Sequence, residues 1–303
     1  MKVIGSISQM QKTCKGLKAK GRTIAFVPTM GYLHDGHLEL MSCGRKKADV
    51  LVVSIFVNPT QFGPNEDLAK YPRDLEGDLK KCKDKGVDIV FTPTEKDMYE
   101  PDHQTYVEVE KVTKDLCGAS RPRHFRGVTT IVAKLFNIVQ PDVAIFGQKD
   151  FQQLITINQM VKDLNFSTKI IGLPTVREKD GLAMSSRNNY LDQEKRKLAA
   201  NICKTLQAIR DKAKKGEGST KNLIGKGLEV LNSNSGIDLE YLKICDCETL
   251  EPTEKLKSEA IVAIAAKIGS TRLIDNIKIS LKGGTHEKNN VEIKNPPCNR
   301  NPG

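Results

Sequence analysis

The sequence predicts an α/β fold, a parallel sheet with helices on both faces, followed by a smaller α+β domain. Three observations carry this expectation. Through the first two-thirds of the chain, short apolar runs alternate with segments of helical periodicity, the pattern of a parallel sheet covered by helices. Polar, glycine-bearing stretches fall just after the apolar runs, where such folds take up ligands. After Leu191 the alternation gives way to one long amphipathic segment and then closely spaced strand-like runs.

The elements follow in order. TIAFV (23–27) reads as a buried strand, HLELMSCGRKKA (37–48) as a helix, VLVVSIFV (50–57) as a second strand and VDIVF (87–91) as a third. VTTIVAKLFNIV (128–139) reads as a helix, VAIF (143–146) as a strand, FQQLITINQMVKDL (151–164) as a helix and TKIIGL (168–173) as the next strand. DQEKRKLAANICKTLQAIRDKAKKG (192–216) is one long amphipathic helix that ends in the loop GEGST (216–220). A shorter helix, KNLIGKGLEVLNS, precedes three strands, LEYLKICD (239–246), AIVAIAAKIG (260–269) and TRLIDNIKI (271–279). The run AIVAIAA is taken as a strand although its periodicity suits a helix as well. The domains expected are a Rossmann-like one over 1–189 and an α+β one over 190–281. The Gly-, Pro- and Asn-rich stretch 282–303 carries too little apolar content to bury and is expected to be a disordered tail. No internal repeat is visible.

At 303 residues and 38% hydrophobic, the chain can bury a sizeable core. No apolar run approaches the ~20 residues of a membrane span. The start, MKVIGSISQMQKTCKG, lacks the apolar stretch of a secretory signal and the Arg- and Ser-rich bias of a transit peptide. Eight cysteines, at 14, 43, 82, 117, 203, 245, 247 and 298, are scattered without a Cys-x-x-Cys pair, which suits a reducing compartment. These points predict a cytoplasmic protein with no membrane partner. The net charge of +11 would suit nucleic acid, but much of it lies in 195-KRK-197 and 210-RDKAKK-215, between apolar residues at helical spacing. With no Trp and 5% aromatic residues there is little on which to stack bases, so no nucleic-acid partner is expected.

Three stretches carry chemistry. VPTMGYLHDGH (27–37) holds His34 and His37, two of only five histidines, just before a helix. Zinc would want further ligands, and no His or Cys cluster lies nearby in sequence. Local packing at the helix start stays open. A phosphate grip has a physical basis in the free N–H groups and positive dipole end of a helix N-terminus. Gly31 and Gly36 let a ligand approach the backbone, and imidazole N–H groups can donate to phosphate oxygens. REKDGLAMSSRN (177–188) sets Ser185, Ser186 and Arg187 on a loop with Gly181, able to hold a polyphosphate or to serve as a plain polar turn. In GQKDFQQ (147–153), Lys149 suits a developing phosphate charge, and Asp150 suits a magnesium ion, a ribose or a helix N-cap.

The HxGH of 34–37 together with the Met-Ser loop of 184–188 resembles the paired signatures of the nucleotidyltransferase superfamily, which includes the class I aminoacyl-tRNA synthetases. More closely, the chain resembles the pantothenate synthetase (pantoate–β-alanine ligase) family. The matching stretches are VPTMGYLHDGH, SIFVNPTQFGPNEDLAKYPRDLEGD, RPRHFRGVTTIVAKLFNIVQPDVAIFGQKDFQQL, DGLAMSSRNNYL and TRLIDNI, in order from about residue 23 to 279. NPTQFGPNEDL and FGxKDxQQL are specific to that family; HxGH alone is not.

The resemblance implies a two-step ligation. Pantoate attacks the α-phosphate of ATP to give pantoyl adenylate and pyrophosphate, and the amine of β-alanine then displaces AMP to give pantothenate. It implies an ATP site lined by Met30, Gly31, Tyr32, Leu33, His34, Asp35, Gly36 and His37, completed by Gly147, Gln148, Lys149, Asp150, Val176, Met184, Ser185, Ser186 and Arg187. His34, His37, Lys149 and Arg187 would be the catalytic set, with His37 as an acid towards the leaving group. Gln61 and Gln153 would hold pantoate, with Asn58 nearby. Mg2+ would bridge phosphates, with Asp78 a candidate ligand. Arg121, Arg123 and His124 would lie on a stretch that closes over the substrates, the C-terminal domain would be a lid, and the assembly a homodimer. Two positions depart from the family pattern: Gln148 stands where Glu is usual, and Glu100 where Pro follows Met-Tyr. The alternatives are another nucleotidyltransferase of the same superfamily, or a basic nucleic-acid-binding protein without catalysis.

Overall fold

The computed structural model describes residues 1–257 and 259–281 together with the backbone of Val291–Glu292. Among the described residues ten strands are present, β1 (Lys2–Ile4), β2 (Ile24–Thr29), β3 (Val50–Ile55), β4 (Ile89–Phe91), β5 (Val143–Gly147), β6 (Lys169–Leu173), β7 (Ile237–Asp246), β8 (Ala260–Ile268), β9 (Thr271–Ile279) and β10 (Val291–Glu292). The helices are α1 (Ile7–Ala19), α2 (Asp35–Arg45), α3 (Leu75–Asp84), the short α4 (Glu95–Met98) and α5 (Cys117–Ser120), then α6 (His124–Val139), α7 (Phe151–Asp163), α8 (Gln193–Lys214) and α9 (Thr220–Asn232).

The first six strands form a parallel sheet in the order β1-β4-β3-β2-β5-β6, and β10 adds to β6 in the opposite direction. Successive residues of β2 explain the helices on both faces. Phe26 enters one core with Phe136 of α6 and Ile157 of α7. Ala25 and Val27 enter another with Met41 of α2 and Leu51 and Val53 of β3. Because both faces are covered, the central strands read as continuous apolar runs rather than alternating ones.

The C-terminal sheet is antiparallel, with β8 between β7 and β9. Ala260, Val262, Ile264, Ala266 and Ile268 pack with Leu206 of α8 and Leu223 of α9, while Ile261 and Ala263 belong to the main core. Burial on both faces is why AIVAIAA carries no clean period of two. Pairing along its whole length with β7 and β9 resolves it as a strand.

The predicted elements are present with ends shifted by a few residues. The largest shift is at α6, which begins at His124 rather than 128; α2 begins at Asp35 rather than 37. The elements β1, α1, α3, α4, α5 and β10 are additional to those predicted. β1 has only three residues and exists through its parallel pairing with β4, far along the chain. The expected boundary at 189/190 falls inside a 3₁₀ turn, Ser186–Tyr190. The expected tail, 282–303, lies outside the described residues apart from Val291–Glu292, which pairs with Gly172 and Ile171. Charges on the first turns of α8 pair locally: Lys195 with Asp192 (2.6 Å), Arg196 with Glu178 (2.6 Å) and Lys197 with Glu194 (3.2 Å). Among the described residues no helix is long and apolar enough to cross a membrane.

Candidate active site

Reading across the sheet, strand order runs back from β4 to β2 and then forward from β5, so the chain reverses its winding between β2 and β5. A crevice opens beyond the carboxyl ends of strands at such a point. The loops after β2, β3, β5 and β6 all reach one cleft there.

The loop after β2 needs unusual backbone. Gly31 has φ 82° and Tyr32 has φ 51°, a left-handed conformation that costs a non-glycine residue free energy. Asp78 of α3 holds it in place. Its Oδ2 accepts from the Tyr32 N–H and its Oδ1 from the Leu33 N–H, both at 2.7 Å. A side chain at Gly31 would put its Cβ 3.0 Å from Asp78 Oδ2, so glycine is required for the fit as well as the φ. Asp78 is 1% exposed with both oxygens engaged, which corrects its reading as a magnesium ligand. It anchors the loop.

His34 caps α2, and its backbone N–H donates to His37 Nδ1 at 3.3 Å. An acceptor nitrogen carries no proton, so the neutral His37 ring has its proton on Nε2. Burial, then the neighbouring His34, Lys149 and Lys81, hold the His37 pKa well below the ordinary imidazole value. Burial and Lys149 lower His34 to about 4. The rings stack 4.1 Å apart, centre to centre, and His34 Nδ1 is buried without a hydrogen-bond partner. A Cβ on Gly36 would come within 2.9 Å of the His34 ring, so the third residue of the motif must be bare. At neutral pH the pair is uncharged and can offer N–H donors.

After β3, a 3₁₀ turn (Pro59–Gln61) presents Gln61. Its Nε2 donates to Met30 Sδ (3.1 Å) and its Oε1 accepts from Asn58 Nδ2 (3.1 Å). Asn58 is 1% exposed and fully engaged, donating also to the Gly127 carbonyl and accepting at Oδ1 from Thr60 and Tyr99. It therefore orients Gln61 rather than reaching a ligand itself. Gly127 of α6 lies directly under this turn; a Cβ there would run into the Thr60 carbonyl and lie 2.6 Å from the Gln61 nitrogen. His124 props the same turn, its Nδ1 2.8 Å from the Gln61 carbonyl and its Nε2 3.0 Å from Arg121 Nη1. The carbonyl can only accept, so Nδ1 donates and Nε2 accepts. Burial and then Arg121 lower the His124 pKa to about 4.

After β5, Lys149, Asp150 and Gln153 line the cleft, with Lys149 Nζ 3.9 Å from Asp150 Oδ2. The Gln153 amide has no hydrogen-bond partner among the described residues. Gln148 turns away and donates from Nε2 to the Gly172 carbonyl at 3.2 Å, so its substitution for Glu is absorbed at β6. After β6, Val176, Met184, Ser185, Ser186 and Arg187 complete the wall. Ser186 Oγ donates to the Tyr32 carbonyl (3.3 Å), tying this loop to the histidine loop.

Two contacts lie beyond the reach of the sequence patterns. Arg187 bonds Asp67 through Nε (2.9 Å) and Nη2 (2.7 Å), and Arg121 bonds the adjacent Glu66 through Nε (2.7 Å) and Nη2 (2.6 Å). Burial opposes ionisation of these two carboxylates, but the arginines outweigh it and hold both pKa values below normal.

Of the other expected residues, Met30, Gly36 and Gly147 line the cleft. Gly31, Tyr32, Leu33 and Asp35 do not; Leu33 packs into the core and Asp35 is an exposed first-turn residue of α2. Arg121 and His124 face the cleft, while Arg123 is exposed at the start of α6. Glu100 is likewise exposed. Phe56 and, from α6, Val128, Ile131, Val132 and Leu135 form an apolar wall that the sequence alone marks only as a helix face. Their i, i+3, i+4, i+7 spacing is visible in the chain, but spacing cannot separate a core face from a cleft face. Among the described residues no group of three or more His, Cys, Asp or Glu side chains is placed to hold a metal ion.

Comparison with known proteins gives a consistent result. The family model described as pantoate-beta-alanine ligase matches residues 2–278. The pantothenate synthetase of Syntrophotalea carbinolica is 54% identical over 276 residues, covering 91% of this chain and 98% of the relative. That of Geobacter sulfurreducens is 55% identical over the same length and shares. Among solved structures, the pantothenate synthetase of Thermus thermophilus superposes with a TM-score of 0.89 at 43% identity, covering 92% of this chain and 100% of that one. The pantoate-beta-alanine ligase of Francisella tularensis, complexed with beta-gamma ATP and beta-alanine, superposes with a TM-score of 0.76 at 36% identity, covering 91% and 97%.

Proposed function

The chain belongs to the pantoate–β-alanine ligase family, and from that premise we propose how this cleft divides the work. The enzyme is a ligase that joins pantoate to β-alanine at the expense of ATP, through pantoyl adenylate, releasing pyrophosphate and then AMP. The observation that carries the assignment of roles is that the lining of the cleft supplies two kinds of group. Uncharged histidine N–H groups, Lys149, the two serines and Arg187 make up one set. The amides of Gln61 and Gln153, with the apolar side chains of Phe56 and α6, make up the other.

The first set suits a triphosphate. His37 Nε2–H is the nitrogen left over once Nδ1 has accepted the His34 amide, and it donates to a phosphate oxygen. A neutral imidazole N–H donates a hydrogen bond but is too weak an acid to give up its proton, so its contribution to the leaving pyrophosphate is charge dispersal through that hydrogen bond. Lys149 and Arg187 supply positive charge to the same group. The second set suits pantoate, whose branched methyl groups meet the apolar wall while its hydroxyls and carboxylate meet amides that donate and accept. With the two substrates held in line, no covalent enzyme intermediate is needed.

A magnesium ion fits this site as a companion of ATP rather than as a resident of a protein cage. Such ions are commonly held by one or two carboxylates plus substrate phosphates, and Asp150 offers a half-exposed carboxylate in the cleft. It would supply charge neutralisation on the phosphates. A cytoplasmic location is supported by the seven described cysteines, all free thiols. A homodimer is what the family resemblance implies, and light scattering of the purified chain would settle it.

The deciding experiment is pantoate-dependent exchange of pyrophosphate into ATP with magnesium present. Exchange with pantoate and none with other small acids is expected. A folded chain that exchanges without regard to pantoate would overturn the reading.

A further inference from the structure

The stretch TRLIDNI has no part in the chemistry above, yet the structure places its end against the Gln148–Asp150 turn. Asn276 of β9 is 8% exposed and does not itself line the cleft. Its Nδ2 donates to the carbonyl oxygens of Gln148 (2.9 Å) and Lys149 (2.7 Å). A primary amide brings two N–H bonds from one nitrogen, which is what two neighbouring carbonyls require. The residue beside it serves the opposite loop. Asp275 accepts from Arg177 Nη1 (2.6 Å) and Nη2 (3.0 Å), and also from the backbone N–H of Asn276 (2.7 Å). Arg177 in turn donates to the Gly181 carbonyl (3.0 Å) and pairs by its backbone with Ala183, at the entry to Met184–Arg187. Two adjacent residues of the C-terminal sheet thus hold both segments that bring positive charge to the phosphates.

We propose that Asn276 is a positioning residue for adenylation, fixing the Gln148–Asp150 turn so that Lys149 meets the charge that develops as pyrophosphate leaves. The inference rests on the role given to Lys149 above. It separates the two half-reactions. In the first, a pantoate oxygen bonds to the α-phosphorus while the bond to pyrophosphate breaks, and charge builds on the departing phosphates. In the second, the β-alanine nitrogen bonds to the acyl carbon, loses its proton to solvent, and the acyl–oxygen bond to AMP breaks. No pyrophosphate is present in that step.

The test uses Asn276→Ala and the isosteric Asn276→Asp, which replaces the donor by an oxygen facing two carbonyl oxygens. On one sample of each, pantoate-dependent ATP–pyrophosphate exchange and the β-alanine-dependent conversion of supplied pantoyl adenylate are measured. Their ratio is independent of the folded fraction, so partial unfolding cancels. Exchange kcat is expected to fall roughly 10- to 100-fold relative to the second step, with KM for pantoate held within about threefold. An unchanged ratio in both variants, including one in which both half-reactions fall together, overturns the proposal and makes Asn276 merely structural. Wild-type protein lacking pantoate-dependent exchange would strike instead at the assigned function.

Discussion

His37 and His124 invite comparison. Each stands at the start of a helix, three residues after a partner that touches its ring, and burial keeps each uncharged at neutral pH. They differ in what their nitrogens have left. His124 spends both, one on the Gln61 carbonyl and one on Arg121. His37 spends only Nδ1, and its Nε2–H is left for a ligand. Burial and a lowered pKa are therefore poor guides to chemistry here. The unspent hydrogen bond separates a residue that reacts from one that braces.

Removing His37 should show the difference most strongly. His37→Ala is expected to lower pantoate-dependent exchange by roughly 10²-fold or more, as loss of a positioned donor does. Wild-type exchange in that variant would make His37 a brace as well. Gly127→Ala attacks the braced side through the backbone, pushing on the Gln61 turn. Overpacking of this kind costs about 1–3 kcal/mol; a lowered melting temperature and a raised KM for pantoate should appear together. Should KM stay fixed while stability falls, Gln61 does not depend on that turn. His124→Ala should be milder, raising KM for pantoate roughly tenfold while exchange kcat changes less than about threefold. A larger loss of kcat than of affinity would erase the distinction drawn here.

The smallest effect is on pH dependence. His34 and His124 have folded pKa values of about 4, below the ordinary 6.5. Between those values the unfolded chain binds more protons, so their contribution to stability is complete above about pH 6.5 and is lost as pH falls towards 4. The melting temperature should drop across that window, and His124→Gln should flatten the slope. An unchanged slope would mean that His124 is not held neutral.

Much of this is legible in the chain itself. Alternating strands and helices foretell the parallel sheet because each run is long and its burial is local to the pattern. The cleft's glycines and polar residues are legible because ligand loops follow strand ends. What escapes depends on partners distant in sequence. Asp78 stands in the run YPRDLEGD as an acid that any metal could use, and only the fold shows the Tyr32 and Leu33 amides already on it. The apolar wall of α6 and the grip of Asn276 on Gln148 and Lys149 escape for the same reason. Spacing fixes which face a residue is on, but not what that face meets.

The clasp of Asp67 on Arg187 makes the protein its own competitor. The two side chains are 24% and 28% exposed, so the pair is largely shielded from water. Any phosphate that takes Arg187 must evict a carboxylate already bonded to it at two nitrogens. Its gain is the difference between two ion pairs, not the strength of one. Small anions passing through the cleft meet an occupied guanidinium, and only a ligand bringing several contacts at once can tip the exchange.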